Sequence, residues 1–477
     1  MTPAQTAMLD ALAPHLDAKA IVVDPAAIAP WQTDWRQRYH GHAPALLAPR
    51  STADVVAIVR AAAAYRVPLV PQGGNSSMVG GATPPADGSA LLLSLRRMDR
   101  IRRVDAAAGL AVAEAGVILA DLHDAALAHD RRFPLTLGAR GNATIGGLVS
   151  TNAGGTQVLR FGSMRGLVAG VEAVLADGSV HDGLAALKKD NRGYDLDQLV
   201  IGAEGTLAIV TAATLRLVPI ATTRATAWAT TASPAAALTL LRRCQQATAA
   251  LESFEILPHG SLAAVLAHRP ATRAPVAGEH PWHLLIESAD DRGAALLETV
   301  LGTALADGLI ADATIATSQA QADAFWAIRD SISDAERALG PASQHDLSVP
   351  VETMPAFMIE AAAACEARFP GTHASGFGHL GDGNIHFHVR AAPGVDAAGW
   401  YADALPAVTR FVNDLVTAAG GSIAAEHGIG QMKVDELARL ASPARMAALR
   451  AVKAGLDPLG LFNPGKLLAL APARGEP

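Results

Sequence analysis

Three glycine-rich loops, separated by strand-like segments, most strongly limit what this chain can fold into. They lie at 73–81, 138–155 and 201–207. Glycines let a backbone approach a ligand closely and adopt positive φ, and consecutive N–H groups form nests for phosphate oxygens. A single glycine pair is usually an ordinary turn, but three long loops between strands favour one shared ligand. The pattern predicts an N-terminal domain that binds a large phosphorylated cofactor.

Two common nucleotide-binding motifs are excluded. The sequence contains no Gly-x-x-x-x-Gly-Lys-[Ser/Thr], which excludes a P-loop nucleotidase. A literal Gly-x-Gly-x-x-Gly is present at Gly376, Gly378 and Gly381, but it leads into a strand and does not open a helix. That context excludes a Rossmann dinucleotide site.

Local signals predict strands and a helix around these loops. Ser51 begins a helix that covers 55–65. Strands are predicted from their apolar content and bounding turns at 67–71, 91–95, 110–115, 168–175 and 208–211.

A Thr- and Ala-rich stretch after Pro219 indicates a domain junction. Helices are predicted beyond it at 235–250, 292–306 and 318–338, and strands at 283–287 and 383–390. This mixture indicates an α+β domain of antiparallel strands covered by helices. We expect domains at 1–219 and 220–415, with 416–477 returning to the first domain as a helical segment.

Residues 378–388 and the pair Glu426–His427 together contain four histidines and, in Glu426, a carboxylate that could join them. From Asn384 onward, polar and apolar residues alternate, so a strand there directs its polar side chains to one face. His379 is expected in the glycine-rich turn before that strand. Two imidazoles and a carboxylate with one open position are typical of a catalytic divalent metal site. The alternative, solvent-facing histidines on a half-buried strand, is less favoured for such a cluster.

Composition excludes several classes of protein. A chain of 477 residues with 50% hydrophobic and 17% charged residues is expected to form two or three globular domains. The net charge of −7 and the lack of a basic block argue against nucleic-acid binding. Two cysteines far apart, Cys244 and Cys365, fit a reducing compartment. No secretory signal or membrane-spanning stretch is visible, so we expect a soluble cytoplasmic protein.

Taken together, these motifs resemble the FAD-linked D-2-hydroxyacid dehydrogenases among the flavin enzymes of the vanillyl-alcohol oxidase type. The resemblance runs from about residue 40 to the end. Residues 71–77 resemble the pyrophosphate loop, 133–155 the long loop that embraces the flavin, and 190–207 a third cofactor segment. It implies a two-subdomain FAD-binding domain and an α+β substrate domain with an antiparallel sheet.

The resemblance also implies the residues that bind FAD. The implied contact positions are Pro71, Gly73, Gly74, Asn75, Ser76, Ser77, Pro134, Leu137, Gly138, Gly141, Thr144, Ile145, Gly146, Gly147, Asn152, Gly154, Glu204, Gly205, Ile209 and Asn463. Members of the family can tether the flavin covalently through a histidine or cysteine near these loops. Here Asn75 occupies the first loop and both cysteines lie outside all three, so we expect non-covalent FAD.

For the chemistry, the resemblance implies that a D-2-hydroxyacid is oxidised to a 2-oxoacid and that its hydride passes to flavin N5. His379, His386 and Glu426 match the metal-binding signature, for zinc, manganese or iron. His427 is predicted to be the general base, since imidazole transfers protons near neutral pH. The alternative role for His427 is to support the ligand Glu426.

Arg329 matches the family's arginine for the substrate carboxylate, and a guanidinium suits a carboxylate. The alternative is a weak surface ion pair with Asp330 or Asp334. Ser333, one helical turn later, is expected on the same side as Arg329. Asn384 is also predicted to bind substrate.

Two residues depart from the family pattern. Gln344 stands where the hydroxyglutarate branch commonly has a lysine that holds the distal carboxylate, and His388 replaces what is often an asparagine. Both are predicted to contact the substrate, and His388 is alternatively an additional metal ligand. The missing lysine weakens the case for D-2-hydroxyglutarate and leaves substrates of the D-lactate and D-malate type open.

Two other functions are compatible with parts of the pattern. One is a non-redox flavoprotein of the same fold, such as a relative of alkyl-glycerone-phosphate synthase; the other is a metal-dependent hydrolase with structural glycine loops. For the dehydrogenase, the electron acceptor is expected to be a quinone, an electron-transfer flavoprotein or a cytochrome. A homodimer is expected from the resemblance.

Overall fold

The computed structural model describes residues 1–469, which belong to two compact units. The first unit contains Met1–Gly155, Gly162–Ile220 and the chain from Glu426 onward; the second contains Thr156–Phe161 and Ala221–Ala425. The sequence analysis placed the last boundary after residue 415, whereas the structure places it after Ala425. The difference arises because the helix Leu405–Ala418 packs on strand Ala342–Ser348 of the second unit.

Helices and strands are numbered here in chain order. The helices are α1 Pro3–Leu12, α2 Pro25–Ile28, α3 Thr52–Tyr65, α4 Leu119–Leu127, α5 Ile145–Thr151, α6 Val158–Phe161, α7 Met164–Leu167, α8 Leu196–Val200, α9 Pro234–Ala247, α10 His259–His268, α11 Ala294–Ala306, α12 Gln319–Ala338, α13 Met354–Arg368, α14 Ala397–Gly399, α15 Leu405–Ala418, α16 Val434–Leu440 and α17 Pro443–Leu456. The strands are β1 Ile21–Val22, β2 Leu46–Leu47, β3 Leu69–Gln72, β4 Leu91–Ser94, β5 Ile101–Asp105, β6 Leu110–Glu114, β7 Arg131–Arg132, β8 Val168–Val174, β9 Val180–Asp182, β10 Ile209–Arg216, β11 Val218–Pro219, β12 Ala225–Thr231, β13 Leu251–Pro258, β14 Trp282–Ser288, β15 Asp312–Ile315, β16 Ala342–Ser348, β17 His373–His379 and β18 Asn384–Arg390.

The first unit contains two larger sheets, as the two-subdomain prediction requires. One has the order β1-β2-β4-β3, with β4 parallel to both of its neighbours. The other is antiparallel, with the order β5-β6-β10-β8-β9. Strands β7 and β11 form a separate pair.

Helix α3 shows how the sequence builds this unit. Ser51 Oγ accepts a hydrogen bond from Asp54 N at 3.1 Å and caps the helix, as predicted. The helix ends at Arg66, whose left-handed φ of 54° stops further helical hydrogen bonding. Its apolar residues at helical spacing, Val55, Ile58, Val59 and Ala62, are buried in a core shared with α1, β3 and β4.

The second unit is built on one seven-stranded antiparallel sheet with the order β15-β12-β14-β13-β17-β18-β16. Helices α10 and α12 pack together on one face, in a core with Trp228, Phe325 and Phe377. Helix α13 packs on β17 and β18 and contacts α9 and α15. The α+β prediction with an antiparallel sheet is confirmed.

The histidine-rich strand β18 lies between β17 and β16, so it is an interior strand. His386 is opposite Asp346 on β16 and Phe377 on β17. The polar face is largely buried, with Asn384 4% and His388 7% exposed, so the solvent-facing alternative does not hold for these two residues. The sequence analysis expected His379 in the glycine-rich turn before β18. The structure instead places it at the end of strand β17.

Gly383 explains why this hairpin is tight. Its φ is 82°, and a Cβ atom there would lie 2.1 Å from Val349 O. Glycine is therefore required at the turn that leads into β18. Within residues 1–469, no helix is long and apolar enough to cross a membrane.

Candidate active site

The first two glycine loops of the first unit touch each other at backbone distance. A Cβ atom on Gly73 would lie 2.1 Å from Thr144 Oγ1, and one on Gly74 would lie 1.8 Å from Asn142 O. Asn142 Nδ2 also donates a hydrogen bond to Gly74 O. Side chains at 73 or 74 would separate the two loops, so these glycines are needed for the approach.

Some polar atoms at these loops are buried and have no hydrogen-bond partner within residues 1–469. They include Thr144 Oγ1 and Asn463 Oδ1. Buried polar groups normally have partners, so unpaired ones indicate a position where a ligand binds. Asn463 Nδ2 donates to Gly81 O at 2.9 Å and to Glu204 O at 2.7 Å, and it thereby joins the first and third loops. These residues fit a polar cofactor such as FAD.

Some of the predicted FAD residues instead hold the loops in place through their side chains. The carboxylate of Glu204 accepts hydrogen bonds from Ile429 N at 2.8 Å and Gly430 N at 2.7 Å. Burial raises the pKa of Glu204 above its usual value, against the effect of these two donors. Asn152 Oδ1 accepts from Ser163 Oγ and Arg165 N, both at 2.9 Å.

Other predicted FAD residues contact the loops or remain accessible. Asn75, with φ of 53°, donates from Nδ2 to Thr33 O at 2.9 Å. Ser77 Oγ accepts from Gly81 N at 3.0 Å. Gly138 and Gly141 are exposed, and a Cβ atom would meet nothing within 4 Å. Of the remaining predicted positions, one lies on β3 (Pro71), three lie on α5 (Ile145, Gly146 and Gly147) and one begins β10 (Ile209). The others lie in the loops, and they are Ser76, Pro134, Leu137, Gly154 and Gly205.

In the second unit, Glu255 joins two of the predicted site residues. It is fully buried on β13, accepts a hydrogen bond from Arg329 Nε at 2.7 Å and lies 2.6 Å from His379 Nδ1. Burial alone would raise the pKa of Glu255, but His379 and Arg329 hold it below its usual value. Burial would likewise lower the pKa of His379, but Glu255 holds it above its usual value.

This contact orients the His379 ring. Its Nδ1 contacts Glu255, and a carboxylate at one ring nitrogen commonly orients a histidine that binds a metal through the other nitrogen. The ring centroids of His379 and His386 are 5.6 Å apart, and one nitrogen of each ring lies within 4.8 Å of the other. The pair fits two imidazole ligands of a divalent metal.

Arg329 is not the surface ion pair considered in the sequence analysis. It is only 8% exposed, and its guanidinium lies 5.1 Å from the centroid of the Phe377 ring. Its partner is Glu255, not Asp330 or Asp334. Ser333 is exposed, which contradicts the expectation that it shares the side of Arg329. The buried stripe of α12 continues instead through Ile332 and Glu336.

The two residues that depart from the family pattern are cross-strand neighbours. Gln344 on β16 is directly opposite His388 on β18, so their side chains share a face. His388 Nδ1 is paired with Glu336 of α12, whose other carboxylate oxygen accepts from Ser261 Oγ at 2.6 Å. The His388 ring is therefore fixed by a buried carboxylate.

Asn384 lies two residues before His386 and is held on one side only. Its Nδ2 donates to Asp346 Oδ1 at 2.9 Å and to Leu347 O at 2.8 Å. Its Oδ1 is buried and has no partner among the described residues. A free buried carbonyl oxygen suits a ligand hydroxyl, as expected for a substrate-binding residue.

Glu426 and His427 open the last segment of the first unit. A carboxylate oxygen of Glu426 and a ring nitrogen of His427 lie within 4.8 Å of each other. A Cβ atom on Gly154 would lie 2.9 Å from Glu426 Oε1, so this carboxylate packs on the second glycine loop. The segment continues to Ile429 and Gly430, which bind Glu204.

Sequence reasoning missed Glu255 and Glu336, the carboxylates that orient His379 and His388. Signals for both were present. Glu255 is a charged residue within the apolar run Phe254–Leu257, and burial of such a residue requires a partner. Glu336 is seven residues after Arg329, on the same face of α12, where two helical turns bring it back.

Comparisons with known proteins agree with this architecture. The family described as "FAD linked oxidases, C-terminal domain" matches residues 220–467, and an FAD binding domain matches 43–183. Solved structures of similar fold include p-cresol methylhydroxylase with substrate bound, with a TM-score of 0.76, 14% identity and 98% coverage of both chains. An alkyldihydroxyacetonephosphate synthase has a TM-score of 0.74 and 15% identity, with coverage of 97% of this chain and 85% of that one. At this identity, these likenesses show the fold alone.

Similar sequences extend over most of the chain. It is 36% identical over 457 residues to the mitochondrial D-2-hydroxyglutarate dehydrogenase of Arabidopsis thaliana, covering 95% of this chain and 80% of that one. It is 35% identical over 469 residues to the D-2-hydroxyglutarate dehydrogenase of Xanthomonas citri pv. viticola, covering 98% of this chain and 97% of that one. The resemblance to the FAD-linked D-2-hydroxyacid dehydrogenases stated from the motifs is therefore confirmed, and the chain belongs to that family.

Proposed function

We propose that this protein oxidises a D-2-hydroxyacid to the corresponding 2-oxoacid, with non-covalent FAD as hydride acceptor and a divalent metal ion as template. The observation that carries the proposal is the buried array in which Glu255 joins Arg329 to His379. It combines a cation for a carboxylate with an imidazole oriented to bind a metal. When bound, FAD supplies the acceptor for the hydride at flavin N5.

Arg329 binds the carboxylate of the substrate. Glu255 occupies Nε and leaves the two terminal nitrogens of the guanidinium for a second carboxylate. Because Arg329 is buried on α12, its position is fixed before substrate arrives, which lowers the entropy lost on binding. Asn384 Oδ1 accepts a hydrogen bond from the substrate hydroxyl.

His379, His386 and Glu426 are the proposed metal ligands, and zinc, manganese and iron all accept such a set. The metal supplies Lewis acidity, which lowers the pKa of a substrate hydroxyl. Glu255 supports the site by holding Nδ1 of His379. The ligand set rests on the motif match and, for the two histidines, on their adjacency across β17 and β18.

His427 is the proposed general base that accepts the hydroxyl proton. An imidazole has the appropriate pKa range, and base catalysis of this kind contributes about 10²–10⁴-fold in rate. If His427 only supported Glu426, its replacement by Asn would weaken metal affinity more than turnover. Metal content and kcat of His427→Asn therefore separate the two roles.

Gln344 and His388 are proposed to recognise the end of the substrate far from its hydroxyl. Their cross-strand pairing places an amide and an imidazole side by side where the family commonly has a lysine and an asparagine. Recognition there uses the Gln344 amide and the His388–Glu336 pair in place of a lysine, so D-lactate and D-malate compete with D-2-hydroxyglutarate as substrate.

One anaerobic titration tests the proposal. D-2-hydroxyglutarate, D-lactate, D-malate and their L-enantiomers are added to the purified protein, with and without prior chelation, and flavin absorbance near about 450 nm is recorded. Bleaching by one D-acid, lost on chelation and restored by zinc or manganese, is the expected result. An unchanged flavin band with every acid would favour the non-redox flavoprotein, and purified protein without flavin would favour the hydrolase.

The proposed physiological setting follows the sequence expectations. The electron acceptor is a quinone, an electron-transfer flavoprotein or a cytochrome, and the protein is a cytoplasmic homodimer. The Arabidopsis relative is mitochondrial, so location has to be measured, by fractionation of the source cells. Stopped-flow reoxidation with each acceptor class, and light scattering for the mass in solution, test the other two points.

A further inference from the structure

Lys466 is a buried amine with almost no partner. It is 3% exposed, and its Nζ makes one long contact, 3.5 Å to Pro464 O. Within residues 1–469, no carboxylate lies within ion-pair distance of this Nζ. Burial is the sole cause that lowers its pKa, to about 8. A buried charge without a partner is costly, so such a residue is expected to have a ligand.

Lys453, in the same C-terminal segment, shows what a structural buried lysine looks like. Its Nζ donates to Thr206 O at 2.7 Å and Phe462 O at 3.0 Å, and it forms an ion pair with Asp457 at 2.5 Å. Three short contacts satisfy all of its donors. Lys466 Nζ has no comparable short contact among the described residues, although Lys466 is more deeply buried. It therefore does not have the same structural role.

The backbone around Lys466 is tied to the glycine loops of the first unit. Lys466 N donates to Asn463 O at 3.3 Å, and Leu467 N donates to Gly430 O at 2.9 Å. Asn463 in turn bridges Gly81 and Glu204. Asn463 Oδ1 is also buried without a partner. Lys466 is therefore three residues from an unpaired amide oxygen, in a segment that Asn463 ties to Gly81 and Glu204 of the loops assigned to FAD.

We propose that Lys466 Nζ binds an anionic group of FAD. FAD offers two such groups: the pyrophosphate, and the pyrimidine edge of the isoalloxazine, which carries negative charge in the reduced flavin. In either case Lys466 donates an N–H hydrogen bond to an oxygen or nitrogen that bears the charge. The inference goes beyond the proposed reaction, because it depends on FAD and not on the identity of the hydroxyacid.

The test compares Lys466→Met with wild type and with Lys19→Met, which removes the same charge from an exposed position. Calorimetry on the apoprotein measures the Kd for FAD, ADP and riboflavin. Redox titration of the FAD-loaded protein measures the flavin midpoint potential, and a sulfite titration measures adduct formation at flavin N5. Lys466→Gln, which keeps a neutral donor, provides the same readouts if Lys466→Met folds poorly.

Two results would support the proposal and identify the group. A loss of tenfold or more in affinity for both FAD and ADP, with riboflavin affinity unchanged, identifies the pyrophosphate. A more negative midpoint potential and sulfite binding weakened tenfold or more, with the FAD affinity retained, identify the isoalloxazine. Lys466→Arg, which keeps the charge, is expected to restore part of either loss.

A different result would overturn it. If Lys466→Met or Lys466→Gln binds FAD, ADP and riboflavin within twofold of wild type, with unchanged potential and sulfite affinity, Lys466 is only a structural residue. A failure of the hydroxyacid assignment leaves every one of these readouts measurable, since none requires substrate turnover. The two proposals therefore fail separately.

Discussion

His379 and His283 are both buried histidines on the seven-stranded sheet, and their surroundings give them opposite charge preferences. His379 meets Glu255, which holds its pKa above the usual value. In the described part of the chain no carboxylate pairs with His283, and its Nδ1 accepts a hydrogen bond from Trp228 Nε1 at 3.2 Å. Burial and the nearby His259 and His280 lower its pKa to about 4. Burial alone does not make a histidine chemically useful; a buried carboxylate beside it does.

The same contrast explains which strand carries function. Both histidines lie close to β13, but Glu255 of that strand is aligned with His379 and Leu257 with His283. One strand therefore offers a carboxylate at one position and an apolar side chain two residues later, on the same face. A single residue of β13 distinguishes the proposed metal ligand from a core histidine.

Glu255→Gln is expected to have the largest effect, because it removes the carboxylate that makes His379 different from His283. The variant leaves Arg329 buried without its charged partner. Breaking a buried ion pair in this way costs about 3–5 kcal/mol in free energy of unfolding. Urea denaturation followed by circular dichroism measures the loss, and metal analysis is expected to show reduced metal content.

Glu252→Gln is the matched control, since Glu252 is also buried on β13 but pairs with the partly exposed Arg160 at 2.7 Å. We expect a smaller loss of stability and unchanged metal content. Equal effects of the two variants on metal content would show that Glu255 has no special role at His379.

The pH dependence of stability tests the other histidine. The folded state keeps His283 neutral down to about pH 4, whereas an unfolded chain protonates it near 6.5. The stability that this residue contributes is therefore present above pH 6.5 and is lost as the pH falls toward 4. The difference between the folded and unfolded pKa values of His283 corresponds to about 3 kcal/mol in free energy of unfolding.

Urea unfolding at pH steps between 6.5 and about 4 measures how the free energy of unfolding changes with pH. His283→Gln is expected to flatten it, whereas His129→Gln, at an exposed position, is expected to retain it. A slope that His283→Gln leaves unchanged would assign the acid sensitivity to other groups.

Arg329→Lys separates the charge that Glu255 needs from the planar group that a substrate carboxylate needs. Lysine keeps the positive charge but loses the fork of donors. We expect kcat/KM to fall about 10–100-fold, the equivalent of one charge-assisted hydrogen bond. Steady-state kinetics with the preferred acid measure it.

Ser333→Ala changes a residue one turn farther on α12. We expect its kcat/KM to stay within about twofold of wild type, because Ser333 is exposed and surface substitutions usually have small effects. A loss as large as that of Arg329→Lys would support the prediction that Ser333 binds substrate.

Much of this architecture could be predicted from the sequence, because local signals carried it. The cap at Ser51, the alternation from Asn384 and the glycine loops indicated the elements, and strand β18 begins within one residue of the predicted start. What local signals could not give was the pairing of distant residues. Glu255 and His379 are 124 residues apart in sequence, and nothing in either segment specifies their contact.

The structure also shows how some of the predicted site side chains are placed. Ser333 is four residues after Arg329, which predicts a common face, but the buried stripe of α12 is narrow and leaves Ser333 outside. Glu204 and Asn152 lie in loops that resemble FAD segments, yet their side chains are used within the protein. A motif identifies a loop, whereas the hydrogen bonds decide which of its side chains are available to a ligand.

Gln344→Lys is expected to have the smallest effect and bears on substrate choice. It returns a cation to a position opposite His388, whose ring is already paired with Glu336. Because Glu336 partly balances charge nearby, the new lysine is expected to favour a distal carboxylate by only about 1 kcal/mol, which is about a fivefold change in selectivity. The ratio of kcat/KM for D-2-hydroxyglutarate to that for D-lactate measures it, and Gln344→Met controls for loss of the amide. A ratio that neither variant changes would mean that the substrate end lies away from β16, and that the departure at 344 does not determine which acid is oxidised.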